Sequence, residues 1–233
     1  MTRWNLLDTK RDIYNSHDNP DEWMRHRIEL FEKYTLPSIM KQTCKDFTWL
    51  LSFSQKTPKH IIKRYENLMN VQIIYEYPVE WLRKHNKNEW LLTTRFDNDD
   101  ILLPTFVEKV QNEAKGLNQI GILRTEIIDV MGVQWDMIND KWYDSGRNTF
   151  NSPFLSLFEN TETRYLSNQI GYGVIPAQAK TAMYCSHTKM TNHFSAVRIK
   201  EELYVMCIHD KNLGNKIVGG ELTDANYFKT NYK

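Results

Sequence analysis

The chain has 233 residues, of which 41% are hydrophobic and 25% charged, an ordinary globular composition that excludes disordered, fibrous and collagen-like classes. At roughly 100 to 200 residues per domain it reads as one unit, 1–233. Thirty basic and 29 acidic side chains leave a formal charge of +1, so no net field draws the protein onto polyanions. Apolar runs such as Ile120 to Leu123 fall far short of the roughly 20 residues that span a bilayer. The amino terminus lacks a basic-then-apolar signal region, so the expected location is cytoplasmic. Cys44, Cys185 and Cys207 form no Cys-x-x-Cys unit and read as buried free thiols.

Thr2 to Leu7 reads as the end of a short first strand, followed by a polar loop to Asn19. Asn19 as cap, Pro20 at the first helical position and Asp21 and Glu22 in the first turn predict a helix. Trp23, Arg27, Leu30, Phe31 and Tyr34 follow at helical spacing, with a break expected near Pro37. Phe47 to Phe53 reads as a buried strand, and Pro58 to Met69 as a helix. Val71 to Tyr75 is the next strand, a short helix follows Pro78, and Trp90 to Phe96 is a third internal strand. Pro104 then opens a helix running to about Lys115.

Strands that alternate with helices imply parallel pairing through crossovers, so the fold class is α/β, with a central, mostly parallel sheet flanked by helices. After Gln119 the pattern turns to strand-like runs at 120–130, 133–135 and 141–143, divided by Gly132 and the Asn139-Asp140 turn. This predicts a smaller antiparallel part in the second half. No linker or repeat separates the halves.

The chemistry concentrates in Arg95-Phe96-Asp97-Asn98-Asp99-Asp100, directly at the carboxyl end of a predicted strand, where open α/β sheets bind ligands. Asp97 and Asp99 place hard oxygen atoms near one another, which suits Mg2+ or Mn2+ carrying a nucleotide diphosphate. The competing structural reading is an acidic turn in which Asp99 or Asp100 caps the helix at Pro104.

With those residues in view, the chain resembles the rhamnosyltransferases of bacteria and their viruses, a family of nucleotide-sugar glycosyltransferases of the Asp-x-Asp, GT-A type. The resemblance lies in Thr2 to Asn5, Asp21 to Pro58, Leu92 to Asp100, Asn151 to Glu159 and Val205 to Asn212. At Ser54 it leads us to expect an acidic residue instead. The resemblance implies a GT-A fold, a divalent ion, a nucleotide-diphosphate sugar donor and transfer to an acceptor hydroxyl. Residues 1–118 would then form the nucleotide-sugar half and 119–233 the acceptor half.

On that reading Asp99 holds the ion, and Asp97 stands near it or the ribose. Arg95 either orients the carboxylates or meets a phosphate. A late histidine completes such sites, which points to His209, with His187 as rival, and Lys211 and Lys216 could meet the diphosphate. Inverting transfer needs a general base. Glu159 is the first choice, projected by a helix, with Asp136, Asp129 and Glu126 behind it. Trp135, Trp142, Tyr143 and Tyr172 could line an acceptor cleft, whereas Trp49, Trp90, Phe47 and Phe53 read as core. Gly171-Tyr172-Gly173 reads as a loop that could close as a lid.

The expected acceptor is a glycan, and a hydroxymethylated DNA base is the alternative. A sugar-binding protein without catalysis and a metal-dependent phosphohydrolase are readings from other classes.

Overall fold

The computed structural model describes residues 1–8, 10–119, 125–145, 150, 152–161, 180–183, 185–211, 217, 220–223 and 230. Tyr172 and the 171–173 loop, Lys216 and part of the 120–130 run lie outside the described residues.

Two sheets share one core, as an α/β chain requires. The first is parallel, in the order β1 (Thr2–Arg3), β2 (Trp49–Ser52), β3 (Val71–Ile74). Trp49 lies opposite Val71 and Leu51 opposite Thr2. The second is mixed, running β4 (Trp90–Thr94), β8 (Ser156–Asn160), β6 (Glu126–Asp136), β9 (Ser195–Ile208), β5 (Ile101–Leu102), with β7 (Lys141–Asp144) on the flank of β6. The third internal strand therefore pairs antiparallel with β8 instead of extending the parallel sheet.

Two backbone hydrogen bonds at Met1 link the sheets. The Met1 nitrogen donates to the Thr94 carbonyl at 2.8 Å, and the Phe96 N–H donates to the Met1 carbonyl at 3.0 Å. One residue bonded to the two flanking a position on its neighbour is the parallel ladder pattern. It sets the first residues of the chain beside the start of the acidic turn.

Helix α1 (Pro20–Leu30) starts as its sequence dictates, with the Asn19 side chain accepting from the Glu22 N–H at 3.2 Å. The expected break at Pro37 does not occur. A π-helical turn, Phe31–Thr35, closes with the Leu36 N–H donating to the Phe31 carbonyl, and α2 (Leu36–Met40) continues through the proline. The widened turn accommodates a residue that has no N–H to give. It also docks the rod: Thr35 Oγ1 donates to the Asp100 carbonyl at 2.8 Å, and Ser38 Oγ accepts from the Leu102 N–H at 3.2 Å.

Helices α3 (Lys59–Ile62), α4 (Pro78–His85) and α5 (Phe106–Gln119) complete the crossovers. Asp99 and Asp100 do not cap α5, because β5 intervenes.

The main core runs from Trp4, Phe31, Phe53 and Tyr65 to Phe154 and Tyr204, with Trp4 stacked on Phe53 at 5.2 Å. Trp49 and Phe53 are buried as expected, while Trp90 and Phe47 are half-buried against the same core. Trp135 and Trp142 stack at 5.0 Å inside a second apolar cluster, so they belong to the core and not to an acceptor cleft. Of the cysteines only Cys207 is buried; Cys44 and Cys185 are half-exposed, and all three are free thiols. Among the described residues no helix is long and apolar enough to cross a membrane.

Gly132 does not divide β6. The strand runs through it with a register shift at Val130 to Gly132, and the Tyr204 ring covers it so closely that an added Cβ would lie 2.6 Å from ring carbons. Tyr204 is itself buried against Phe154. Gly132→Ala is therefore expected to cost about 1–3 kcal/mol, the typical penalty for overpacking, read as a lower urea midpoint at unchanged slope. The predicted hairpin does form between β6 and β7, where Asp140 takes a positive φ of 53° and accepts from Trp135 Nε1 at 3.2 Å.

Candidate active site

The acidic turn lies where β1, β4 and β9 end. Asn98 fixes it from the middle: its amide donates to the Trp4 carbonyl beyond β1 at 2.7 Å and accepts from Arg27 Nη1 at 3.2 Å. From the β9 side, the Cys207 N–H donates to Asp100 Oδ1 at 2.7 Å. The site is thus assembled from segments far apart in the chain.

Its three carboxylates face three environments. Asp99 is buried, with Oδ2 paired to Arg27 Nη1 and 3.1 Å from His209 Nε2. Burial alone would push this carboxyl up; Arg27 and His209 outweigh it and hold it below the ordinary carboxylate range. Asp100 is fully buried, and its Oδ2 has no hydrogen-bond partner. Burial first, then the charges of Asp99 and Asp97, raise it well above the ordinary value. Asp97 is the open one, with its side chain 32% exposed. Arg3 Nη2 stands 3.8 Å from one of its oxygens and Arg95 Nη2 3.8 Å from the other, while Arg95 Nε is buried with no partner.

His209 follows β9 and is buried. Its Nδ1 lies 3.3 Å from His26 Nε2 and accepts from the Lys211 N–H at 3.3 Å. His26 is half-buried, and burial followed by the charge of His209 lowers its pKa. Lys211 is exposed, with Nζ on Glu22 at 2.8 Å. His187 opens the 3-10 turn that precedes β9, at the opposite end of that strand from His209.

The expected ligand set Asp97, Asp99 and His209 does not converge. Among the described residues, the group of three whose ligand atoms all lie within 4.8 Å of one another is His26, His209 and Asp210. Two of the three, Asp99 and His209, do come together at 3.1 Å, with Arg27 on the same Asp99 oxygen. The sequence reading missed His26, Arg27 and Arg3. One signal for Arg27 was present, since it is a charged residue on an otherwise apolar helical stripe.

Glu159 stands apart from this group. It is carried by strand β8, not by a helix, and lies opposite Leu91 near the start of β4, whereas Asp97 follows the other end of that strand. Its two oxygens accept from the Lys180 and Thr181 N–H groups at 2.8 Å each. Burial nevertheless raises its pKa.

A raised carboxyl contributes stability that is fully present below the ordinary value of 4.5 and is lost as pH climbs through the folded-state value. In Glu159→Gln that loss disappears, so stability against pH flattens above about 4.5. The new amide also faces an N–H donor and costs about 1–3 kcal/mol. Urea unfolding between pH 4.5 and 8 reads both effects.

The lesser base candidates have structural partners. Asp129 pairs with Arg198 at 2.6 Å and accepts from the Ser152 N–H at 2.9 Å. Asp136 accepts from Ile138 and Asn139 in the β6–β7 turn, and Glu126 is buried on β6. At Ser54 the expected acidic group arrives from another loop, because Ser54 Oγ donates to Asp12 Oδ2 at 2.6 Å. A cavity of about 500 Å³ between β2, β4, α4 and α5 is lined mainly by apolar residues, including Trp49, Trp81 and Phe106, and by none of the site residues above.

The family model described as "Putative rhamnosyl transferase" matches residues 15–221, a span that takes in the acidic turn, both histidines and β9. The chain belongs to that family. Similar solved structures are those of S. aureus TarS 1-349 (13% identity, 78% of this chain and 57% of that one, TM-score 0.40) and of the same fragment in complex with UDP (14%, 78% and 57%, TM-score 0.39). A further TarS structure matches at 12% identity over 78% of this chain and 35% of that one, TM-score 0.42. The chain therefore spans little more than half of the TarS fragment, and a likeness this loose assigns no residue role. No curated protein matches the chain.

Proposed function

We propose that the protein transfers a sugar, rhamnose-like or another hexose or pentose, from a nucleotide-diphosphate donor to a glycan hydroxyl, with the donor bound where β1, β4 and β9 end in a GT-A-type arrangement. The observation that carries this reading is the open carboxylate Asp97 held between Arg3 and Arg95, two residues before the Asp99 that meets His209, in a chain of this family. A divalent ion bound here would offset the negative charge that grows on the departing diphosphate.

The chain's own residues divide the remaining work. Arg3 and Arg95 reach Asp97 only at 3.8 Å, so their guanidinium groups keep donors for phosphate oxygens. Asp97 orients the ribose or the ion's water shell. Lys211 turns from Glu22 to the diphosphate, at little cost because the pair is exposed, and Lys216 is proposed to join it. Asp99 acts through His209 and Arg27. Most donor contacts come from 1–118, with His209 and Lys211 reaching in from the half assigned to the acceptor. Both Glu159 oxygens accept backbone N–H groups, which argues against their use as the base.

The test is release of nucleoside diphosphate from UDP-, GDP- and dTDP-linked sugars with Mn2+ and a glycan acceptor. Release from one donor class is expected, and none from any class contradicts the proposal.

A further inference from the structure

We infer that the cavity between β2 and β4 binds an extended apolar peptide segment of a partner, which lies in the sheet as an inserted strand. The inference does not depend on sugar transfer.

The cavity, about 500 Å³ in volume, passes through the sheet. On one face it meets Trp81 of α4, which packs with Leu50 and Leu82. On the other it meets Phe106 and Val110 of α5, which share a core with Trp49. Its side walls are Thr48 to Leu50 of β2 and Leu91 to Thr94 of β4, and Met1 closes one end. Beyond Met1 the same two strands flank β1, which pairs with β2 through Thr2 and Arg3 and bonds to β4 through Met1. The walls therefore stand two strand spacings apart, about 9.5 Å, and the space between them is one strand wide.

The main chain of both walls is oriented for such a strand. Successive residues of a paired strand send their N–H and C=O groups to opposite sides. Glu89 turns its carbonyl to the Thr161 N–H beyond β8, and Thr94 turns its carbonyl to the Met1 nitrogen. Leu92, two residues before Thr94, thus points its N–H and C=O into the cavity. Across the gap, the Trp49 N–H donates to the Asn70 carbonyl beside β3 at 2.6 Å, so the Leu50 N–H points the other way, toward Leu92. An alkyl chain would leave these groups unpaired between apolar walls, at a cost that a peptide main chain removes. A peptide would continue the two ladders that β1 already makes, the mode of recognition in which main-chain bonds give affinity and side-chain pockets give specificity. Its side chains would alternate between the α4 and α5 faces. Both faces are apolar, so the segment is an unbroken apolar run, as in a strand buried on both sides.

The test is calorimetric titration and amide hydrogen exchange of the full chain with pools of acetylated, amidated five-residue peptides built from Val, Ile, Leu and Thr. The same pools N-methylated at every residue keep the apolar surface and lose the donors, and dodecanoate supplies an apolar chain without a peptide main chain. Binding of the unmodified pool is expected, with exchange at Leu50 and Leu92 slowed at least tenfold and affinity at least tenfold lower after N-methylation. Val107→Trp, which fills the cavity from the half-buried side of α5, should abolish binding. Trp81 is also half-buried, so Trp81→Arg, expected to weaken binding at least tenfold, keeps the test valid should Val107→Trp unfold. The inference is overturned if no pool binds, if N-methylated peptides bind equally well, if dodecanoate binds more tightly than the peptides, or if the slowed amides exclude Leu50 and Leu92.

Discussion

Replacing Arg27 by methionine is expected to cost about 3–5 kcal/mol of folding stability, the range for removing one partner of a buried ion pair. Both side chains of the pair are less than one-tenth exposed. The guanidinium also donates to Asn98 and lies over the Trp23 ring at 5.1 Å, so packing is lost along with charge. Without it, Asp99 stays buried beside Asp100 and loses the guanidinium that offsets its charge. For a chain this long the loss amounts to a fall in Tm on the order of 10 °C.

The sign of the pH effect follows from Asp99. Arg27 helps to hold its carboxyl below the ordinary value of 3.8, so the stabilisation is present above that value and is lost as pH falls through the folded-state one. The deficit of Arg27→Met should therefore be largest at neutral pH and narrow in acid. Adding Asp99→Asn should recover part of it, and a double-mutant cycle isolates the coupling. A loss below about 1 kcal/mol would mean that the pair is solvated.

Asp97→Asn is expected to do the reverse, leaving stability nearly unchanged and lowering sugar transfer by about 10²–10³-fold, the scale of one lost electrostatic contact in a transition state. Its side chain is one-third exposed and its two arginine contacts are long, a geometry that contributes about 0–1 kcal/mol to folding. Asparagine keeps the shape and removes the charge. The drop should appear in kcat/KM with the thermal transition in place. Equal transfer by the variant would show that Asp97 is only a solvated surface group. On this proposal neighbouring aspartates in one short turn have opposite tasks, Asp99 for assembly and Asp97 for the ligand.

The strand and helix order was legible because its signals are local. The cap at Asn19, the apolar stripe of α1, the buried FTWLLSF segment and the acidic turn after β4 all stand at or near their expected places. What the sequence could not show is long-range. The pairing of β4 with β8, the bridge at Met1 and the parallel seam of β6 with β9 are set by contacts between distant segments, which periodicity does not encode. Glu159 illustrates the cost: its apolar block reads equally well as helix or strand, and the strand turns the carboxylate toward backbone N–H groups.

The site follows the same division. Asp-x-Asp was visible as a motif. The meeting of Asp99 with Arg27 and His209 needed the docking of α1 and β9 against the acidic turn. His26 carried no signal of its own, since a histidine on a helix acquires meaning only when β9 brings His209 beside it.

The most direct test of the account is calorimetric titration of the protein with UDP, GDP, dTDP and CMP, with and without Mn2+. The account predicts that one of the three nucleoside diphosphates binds, more tightly with the ion, and that Asp97→Asn weakens it. Failure of all three to bind under either condition would contradict a nucleotide-sugar site at the end of β4.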